Sequence, residues 1–161
     1  LHIAQPENGL WWFEQATANG VVDYDWIGLS YYPKWSEYTI DNVGEALTTL
    51  ITTYKKQLRV VETAYPFTLE SWDDAGNILG EDALIQGYEA SINGQLQYLK
   101  DLKNVIETSG GKGIIYWEPA WVSTDCSTPW GQGSHWENAT MFDRSTKAHE
   151  GITFFNENLT N

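Results

Sequence analysis

The sequence predicts an α/β fold built on a parallel sheet. Three observations lead there: strand-like and helical stretches alternate as βαβαβαβα, the links from helix to strand are short, and the links leaving the later strands are long. The chain has 161 residues, enough for one sizeable core.

The first strand is expected over Leu1–Gln5, followed by a helix over Gly9–Asn19. The second is "WIGLSYY", Trp26–Tyr32, ended by Pro33. Asn42 with Glu45 three residues later reads as a capping box, opening a helix whose apolar stripe is Ala46, Leu47, Leu50, Ile51 and Tyr54. The third strand is Leu58–Thr63, and the third helix is marked by Ile92, Leu96, Leu99, Leu102 and Ile106, stopping at Gly110–Gly111. "GIIYWE", Gly113–Glu118, is the fourth strand, and a last helix is expected over Ser145–Phe155.

The strand-to-helix links Ala64–Leu84 and Pro119–Arg144 exceed the length of ordinary connections, which marks them as functional or disordered. They carry Trp72, Trp121, Trp130 and Trp136, which argues against disorder. Ligands of α/β folds bind at the carboxyl ends of the strands, where these loops must sit. The aromatics and Glu62 are therefore expected on one rim.

Twenty-two acidic residues against nine basic ones, a net charge of −13, exclude nucleic acid and anionic membranes as partners, since both need clustered Lys and Arg. No stretch has the apolar length of a membrane span. The opening "LHIAQPENG" has neither an initiator Met nor a signal-peptide pattern, and reads as the inside of a longer protein. The single cysteine, Cys126, allows no internal disulfide and reads as a bland thiol. Nine Trp and nine Tyr suit a surface for sugar rings, because each pairs a flat apolar face with a polar edge.

A carboxylate at the end of an apolar run is costly to bury without a reason. Glu62 and Glu118 both stand at such ends. They read either as an acid and nucleophile pair of the kind that cleaves glycosides or as carboxylates that order their loops through hydrogen bonds. Pro119 turns the chain after Glu118 and favours the ordering role there. None of His2, His135 and His149 stands at a rim-strand end beside a nucleophile, and His149 reads as a surface or core residue.

"DWIGLSYYP", "VVETAYP" and "YWEPAW", in this order and spacing, resemble strands six, seven and eight of glycoside hydrolase family 53, the endo-β-1,4-galactanases, and "LHIAQPENG" is similar to strand five with its loop. The resemblance implies that residues 1–161 form the C-terminal half, strands five to eight, of a TIM (β/α)8 barrel, without the first four βα units. It implies that Glu62 is the nucleophile of a retaining glycosidase. Tyr31 or Tyr32 would be the tyrosine that keeps it ionised, and Trp117 the floor under the sugar. Glu118 then becomes a sugar-binding or supporting residue, and Trp121 a further sugar contact. The family's general acid stands on strand four, so its partner carboxylate is expected outside this segment.

The resemblance further implies a secreted parent, extracellular or periplasmic, acting on neutral galactan or galacto-oligosaccharides. Asp73, Asp74 and Asn77 in "WDDAGN" suit Ca²⁺ with loop-eight ligands around Ser123–Asp125, as in bacterial members, or else form a plain Asx turn. A half barrel leaves two open edges, for which the expected cover is the missing half or a second copy related by a two-fold axis. A non-catalytic carbohydrate-binding module and a related retaining β-glycanase stand as the other readings.

Overall fold

The structure, a computed structural model, describes residues 1–129 and 131–158. Trp130, expected on the rim, lies outside the described residues. The chain divides into two compact units, one of residues 1–63 and 101–117, the other of residues 64–100 and 118–161.

The first unit holds a four-stranded parallel sheet, β1 (His2–Ala4), β2 (Trp26–Ser30), β3 (Gln57–Thr63) and β4 (Ile114–Tyr116), in spatial order β1-β2-β3-β4. Helices α1 (Pro6–Ala18) and α2 (Val43–Tyr54) connect the first three strands, and α3 (Ile92–Thr108) leads into β4. Through β4 the order of elements is the expected one; β1, β2 and β4 are one or two residues shorter at their ends, and β3 starts one residue earlier.

Strand alternation explains the core. Register rows Ile27–Leu58 and Leu29–Val60 lie on one face, and all four side chains are fully buried together with Phe13, Leu47, Leu50, Leu102 and Ile106. Packing is close: a Cβ at Gly9 of α1 would lie 2.8 Å from a methyl of Leu29, so only glycine lets the helix approach β2 this far. The opposite face carries His2, Ala4, Trp26 and Ile115, all exposed, the last two at 38% and 48%. Such an exposed sheet face is unusual for a parallel sheet, which normally has both sides covered.

Pro6 occupies the first turn of α1, where its missing N–H is harmless. The capping box expected at α2 does not form. Asn42 precedes the helix, but its Oδ1 accepts from the backbone N–H (2.8 Å) and hydroxyl (3.2 Å) of Thr39 instead of from the helix. A local turn has outcompeted the cap. Helix α3 stops where expected: Gly110 is left-handed, at φ +90°, and the Gly111 N–H returns to the Ile106 carbonyl.

The second unit packs the two long loops around the N-terminal part of α3. Tyr65 stacks on Tyr98 at 4.6 Å between ring centroids, and its hydroxyl donates to the Tyr88 carbonyl while accepting the Ile85 N–H. Leu79, Leu99, Met141 and Phe154 complete the core. Strands β5 (Ser127–Thr128) and β6 (Gly131–Gln132) form a small antiparallel ladder, and Cys126 before it is exposed.

The last helix expected over Ser145–Phe155 is corrected to a 3₁₀ segment, Glu150–Asn158. Asp143 Oδ1 accepts from the N–H groups of both Ser145 and Lys147, and Thr146 is left-handed at φ 61°. That turn pairs Phe142 with Ala148 and leaves no room for helix. His149 after it is buried. Its Nδ1 accepts the Gly151 N–H at 3.0 Å, so Nε2 must carry the proton it donates to the Thr140 carbonyl at 3.0 Å. The ring is thereby held neutral.

Candidate active site

The carboxyl end of β3 is irregular in a way that decides where Glu62 points. Leu29 pairs with Val60, but the next pair is Ser30 with Glu62. On the other side Val60 pairs with Ile114 and Thr63 with Tyr116, so Val61 and Glu62 together oppose Ile115. Strand β3 thus carries one residue more than either neighbour, a β-bulge in both ladders. Unbroken alternation would put Glu62 on the face of Leu58 and Val60, under the helices. The bulge brings it instead into the row of Ala4 and Ser30 on the open face.

Glu62 is half-buried and accepts a hydrogen bond from the Tyr32 hydroxyl, 3.0 Å to Oε1. Its backbone carbonyl accepts the Tyr31 N–H at 2.8 Å. The two tyrosines are both buried but face different tasks, since Tyr31 donates its hydroxyl to the Tyr38 carbonyl at 3.2 Å. Of the two candidates, Tyr32 is the one that meets Glu62. Trp117 is tied by its N–H to the Thr63 carbonyl, and its side chain is 42% exposed.

Two contacts of this first unit are not specified by strand patterns alone. The Gln5 side-chain oxygen accepts the Tyr32 N–H at 3.3 Å, from a residue with left-handed φ of 65°. His2 meets the Ser30 hydroxyl through Nε2 at 2.8 Å. Only the period of two shared by His2, Ala4, Gly28 and Ser30 hinted that these residues face the same side.

Glu118 and Trp121 belong to the second unit. Glu118 lies beyond the end of β4, not at it, and is exposed with a left-handed φ of 49°. Such a conformation in a long side chain is uncommon and is found where function or surroundings impose it. Trp121 is half-buried, with its ring edge-on to His135. Trp72 is half-buried, while Trp136 is 5% exposed and belongs to the core of this unit, which corrects its expected place on the rim. Indoles fill both roles, and composition cannot tell them apart.

The candidate calcium residues were expected in the loop after β3. Asp73 Oδ1 accepts the Ala75 N–H, and Oδ2 accepts the Ser134 N–H at 2.8 Å and the Ser123 hydroxyl at 2.5 Å. Burial opposes its charge, but hydrogen bonds from Ser123, Ser134 and Ala75 outweigh it and hold the carboxyl below the usual range. Asn77 donates through its amide to the Glu70 carbonyl and Ser71 hydroxyl, leaving a buried Oδ1 that meets no donor. A cavity of about 410 Å³ beside Asp73 is lined by Asp74, Ser123, Thr124, Asp125 and Gln132. No group of three or more His, Cys, Asp or Glu side chains converges among the described residues. The donors to hand are carboxylate, amide and hydroxyl oxygens, which fit a hard cation and not a transition metal.

The glycosyl hydrolase family 53 model matches residues 1–155. The chain belongs to this family. It is 59% identical over 147 residues to an arabinogalactan endo-β-1,4-galactanase of Cellvibrio japonicus, covering 91% of this chain and 39% of that protein. An endo-β-1,4-galactanase of Bacillus subtilis is 36% identical over 126 residues, covering 76% of this chain and 29% of its relative. Among solved structures, the family 53 catalytic domain of Ignisphaera aggregans superposes with a TM-score of 0.85 at 31% identity, covering 96% of this chain and 44% of that one. The chain thus spans well under half of these relatives, and its sheet is part of a (β/α)8 barrel. The reading as a hydrolase of a related barrel family is set aside.

Proposed function

We propose that this chain is the C-terminal half of the barrel of a secreted, endo-acting retaining glycosidase that hydrolyses β-1,4-galactan, with Glu62 as nucleophile. What supports the reading is the hydrogen bond of Tyr32 to Glu62 at the end of β3, in a chain 59% identical to a protein named as an arabinogalactan endo-β-1,4-galactanase.

In this mechanism a Glu62 oxygen attacks the anomeric carbon of a galactosyl unit while the glycosidic bond breaks. The leaving oxygen takes a proton from a general acid contributed by strand four, outside this segment. A covalent galactosyl-enzyme forms, and water, deprotonated by the same acid/base residue, displaces Glu62 with net retention. The Tyr32 hydroxyl, bonded to Oε1, holds and aims the Glu62 carboxylate. The exposed indole of Trp117 supports the sugar from below, and Glu118 and Trp121 keep the sugar-contact roles that the family resemblance implies. A neutral polysaccharide suits a chain of net charge −13 better than a polyuronate would.

Calcium, if bound, supplies no chemistry to the reaction and ties the loop after β3 to the loop after β4. Asp73, Asn77 and oxygens from Ser123 to Asp125 would hold it, and the unpartnered Oδ1 of Asn77 is the observation that favours it.

The test is a pair of substitutions in the full-length protein. Glu62→Gln should lower turnover of galactan by several orders of magnitude while preserving binding, because it removes a nucleophile and almost no volume. Glu118→Gln should do much less to the chemical step. Near-normal rates for Glu62→Gln, with binding intact, would leave the non-catalytic carbohydrate-binding reading in its place.

A further inference from the structure

The residue just before α1 holds a backbone conformation that its own side chain disfavours. Gln5 stands at φ 65° and ψ 140°, near the edge of a region that is essentially glycine's alone, and it is buried. A conformation of this kind persists only where the surroundings impose it. The ladder between β1 and β2 shows what it accomplishes.

A parallel ladder repeats its bonds at even spacing, on every second residue of a strand. The Gly28 N–H donates to the Leu1 carbonyl at 2.7 Å, and the Gln5 N–H donates to the Ser30 carbonyl at 2.9 Å. Continued by one more rung, this ladder would send the Tyr32 N–H to the Gln5 carbonyl. That carbonyl instead accepts the Gly9 N–H at 3.0 Å, in the first turn of α1. The side chain stands in for it: Gln5 Oε1 accepts the Tyr32 N–H at 3.3 Å, in a buried contact. One residue thus opens the helix with its main chain and completes the sheet with its amide. An aliphatic chain of the same length would fill the space and lack the acceptor.

The added rung lies one step from the carboxylate. On the other flank of β2 the Tyr31 N–H donates to the Glu62 carbonyl at 2.8 Å, so two successive residues are held from opposite sides. Pro33 follows with no N–H to carry the pattern further. From this fixed backbone the Tyr32 hydroxyl reaches Oε1 of Glu62 at 3.0 Å. Resting on the reading of Glu62 as nucleophile, we propose that Gln5 is a positioning residue of the reaction: it sets the Tyr32 backbone, and through it the phenol that aims the carboxylate. A reacting group misplaced by about 1 Å can lose on the order of a hundred-fold in rate. Loss of the rung therefore belongs in kcat and not in substrate binding.

The experiment uses the full-length protein with two variants. Gln5→Met keeps an unbranched chain of the same length without the oxygen, and Gln5→Gly removes the side chain while accepting the positive φ freely. Each should lower kcat by roughly ten-fold with KM changed far less, and amide hydrogen exchange at Tyr32 should quicken in both. In a Tyr32→Phe background, Gln5→Met should cost little more, because both changes act through one contact. Should Gln5→Met fail to fold, Gln5→Gly carries the same readings. Parent-like kcat in a folded Gln5 variant would overturn the proposal. So would unchanged exchange at Tyr32, or losses that multiply in full in the double variant, since Gln5 would then act without Tyr32. Near-normal turnover by Glu62→Gln would instead overturn the assignment of the nucleophile, while exchange at Tyr32 would still report whether Gln5 holds its backbone.

Discussion

The Tyr32 hydroxyl donates to Oε1 of Glu62 at 3.0 Å, while its sequence neighbour Tyr31 turns its own hydroxyl to the Tyr38 carbonyl. Adjacent tyrosines, both buried, are thus separated by what their hydroxyls meet. A nucleophile must be held in its line of attack, and the Tyr32 hydroxyl is the side-chain donor that fixes the Glu62 carboxylate. Tyr32→Phe in the full-length enzyme should therefore lower kcat by at least about ten-fold while changing KM much less. Tyr31→Phe should leave kcat within a few-fold of the parent. Reversed effects would exchange the two roles.

His149 gives a pH dependence of stability with a definite sign. Burial pushes its pKa below the ordinary value of 6.5, against smaller opposing effects of the Thr140 carbonyl and the Asp143 charge. The unfolded chain then binds more protons than the folded one in the window just below pH 6.5, so stability falls as pH falls through it. Thermal melts from neutral to mildly acidic pH should show this slope, and His149→Gln should flatten it. An unchanged slope in the variant would assign the effect to other groups.

Calcium should raise the melting temperature in proportion to the logarithm of its concentration above the dissociation constant. Asp73→Ala should abolish that response and also destabilise the second unit without calcium, because it strips three hydrogen bonds from Ala75, Ser123 and Ser134. The cost should be on the order of 2–4 kcal/mol, at about 1 kcal/mol for each of the three bonds, below the usual range for a charged acceptor because the carboxylate is only half-buried. A melting temperature that ignores both calcium and a chelator would sink the metal site.

Produced alone, the segment should release no reducing sugar from galactan, since the proposed mechanism needs an acid it does not contain. Its open sheet face and the unpaired edges of β1 and β4 should drive it to self-associate. A two-fold pair would bring β4 of one copy beside β1 of the other. Sedimentation at 18.3 kDa at micromolar concentration, the mass of one chain, would defeat the self-association, and sugar release would defeat the inactivity.

Much of this was legible in the sequence because it rests on local rules. The helix ends at Gly110, the order of the strands and the open rows of the sheet follow from glycine, alternation and apolar spacing. The Glu62–Tyr32 pairing was legible only as a choice between two tyrosines, because the hydroxyl that wins depends on the path of the chain after Ser30. Asn42 showed how a cap motif can be satisfied by a residue before it. The turn at Asp143 replaced a helix by a side-chain hydrogen-bond pattern that helical periodicity does not register. Trp35 and Trp136 look alike in sequence, and only packing separates an exposed indole from a buried one.

Strand β3 is one residue too long for its neighbours, and that surplus has a price in pairing. Paired without the bulge, the same residues would put Val61 opposite Ser30, giving a more regular sheet. That register would also turn the carboxylate of Glu62 into the layer beneath the helices, where a lone charge is worth several kcal/mol of destabilisation. The tidy register and the useful register are therefore different pairings of one sequence. In the useful one the irregularity works as a spacer, and its length of a single residue is what aligns this chain's acid with the open side of the sheet.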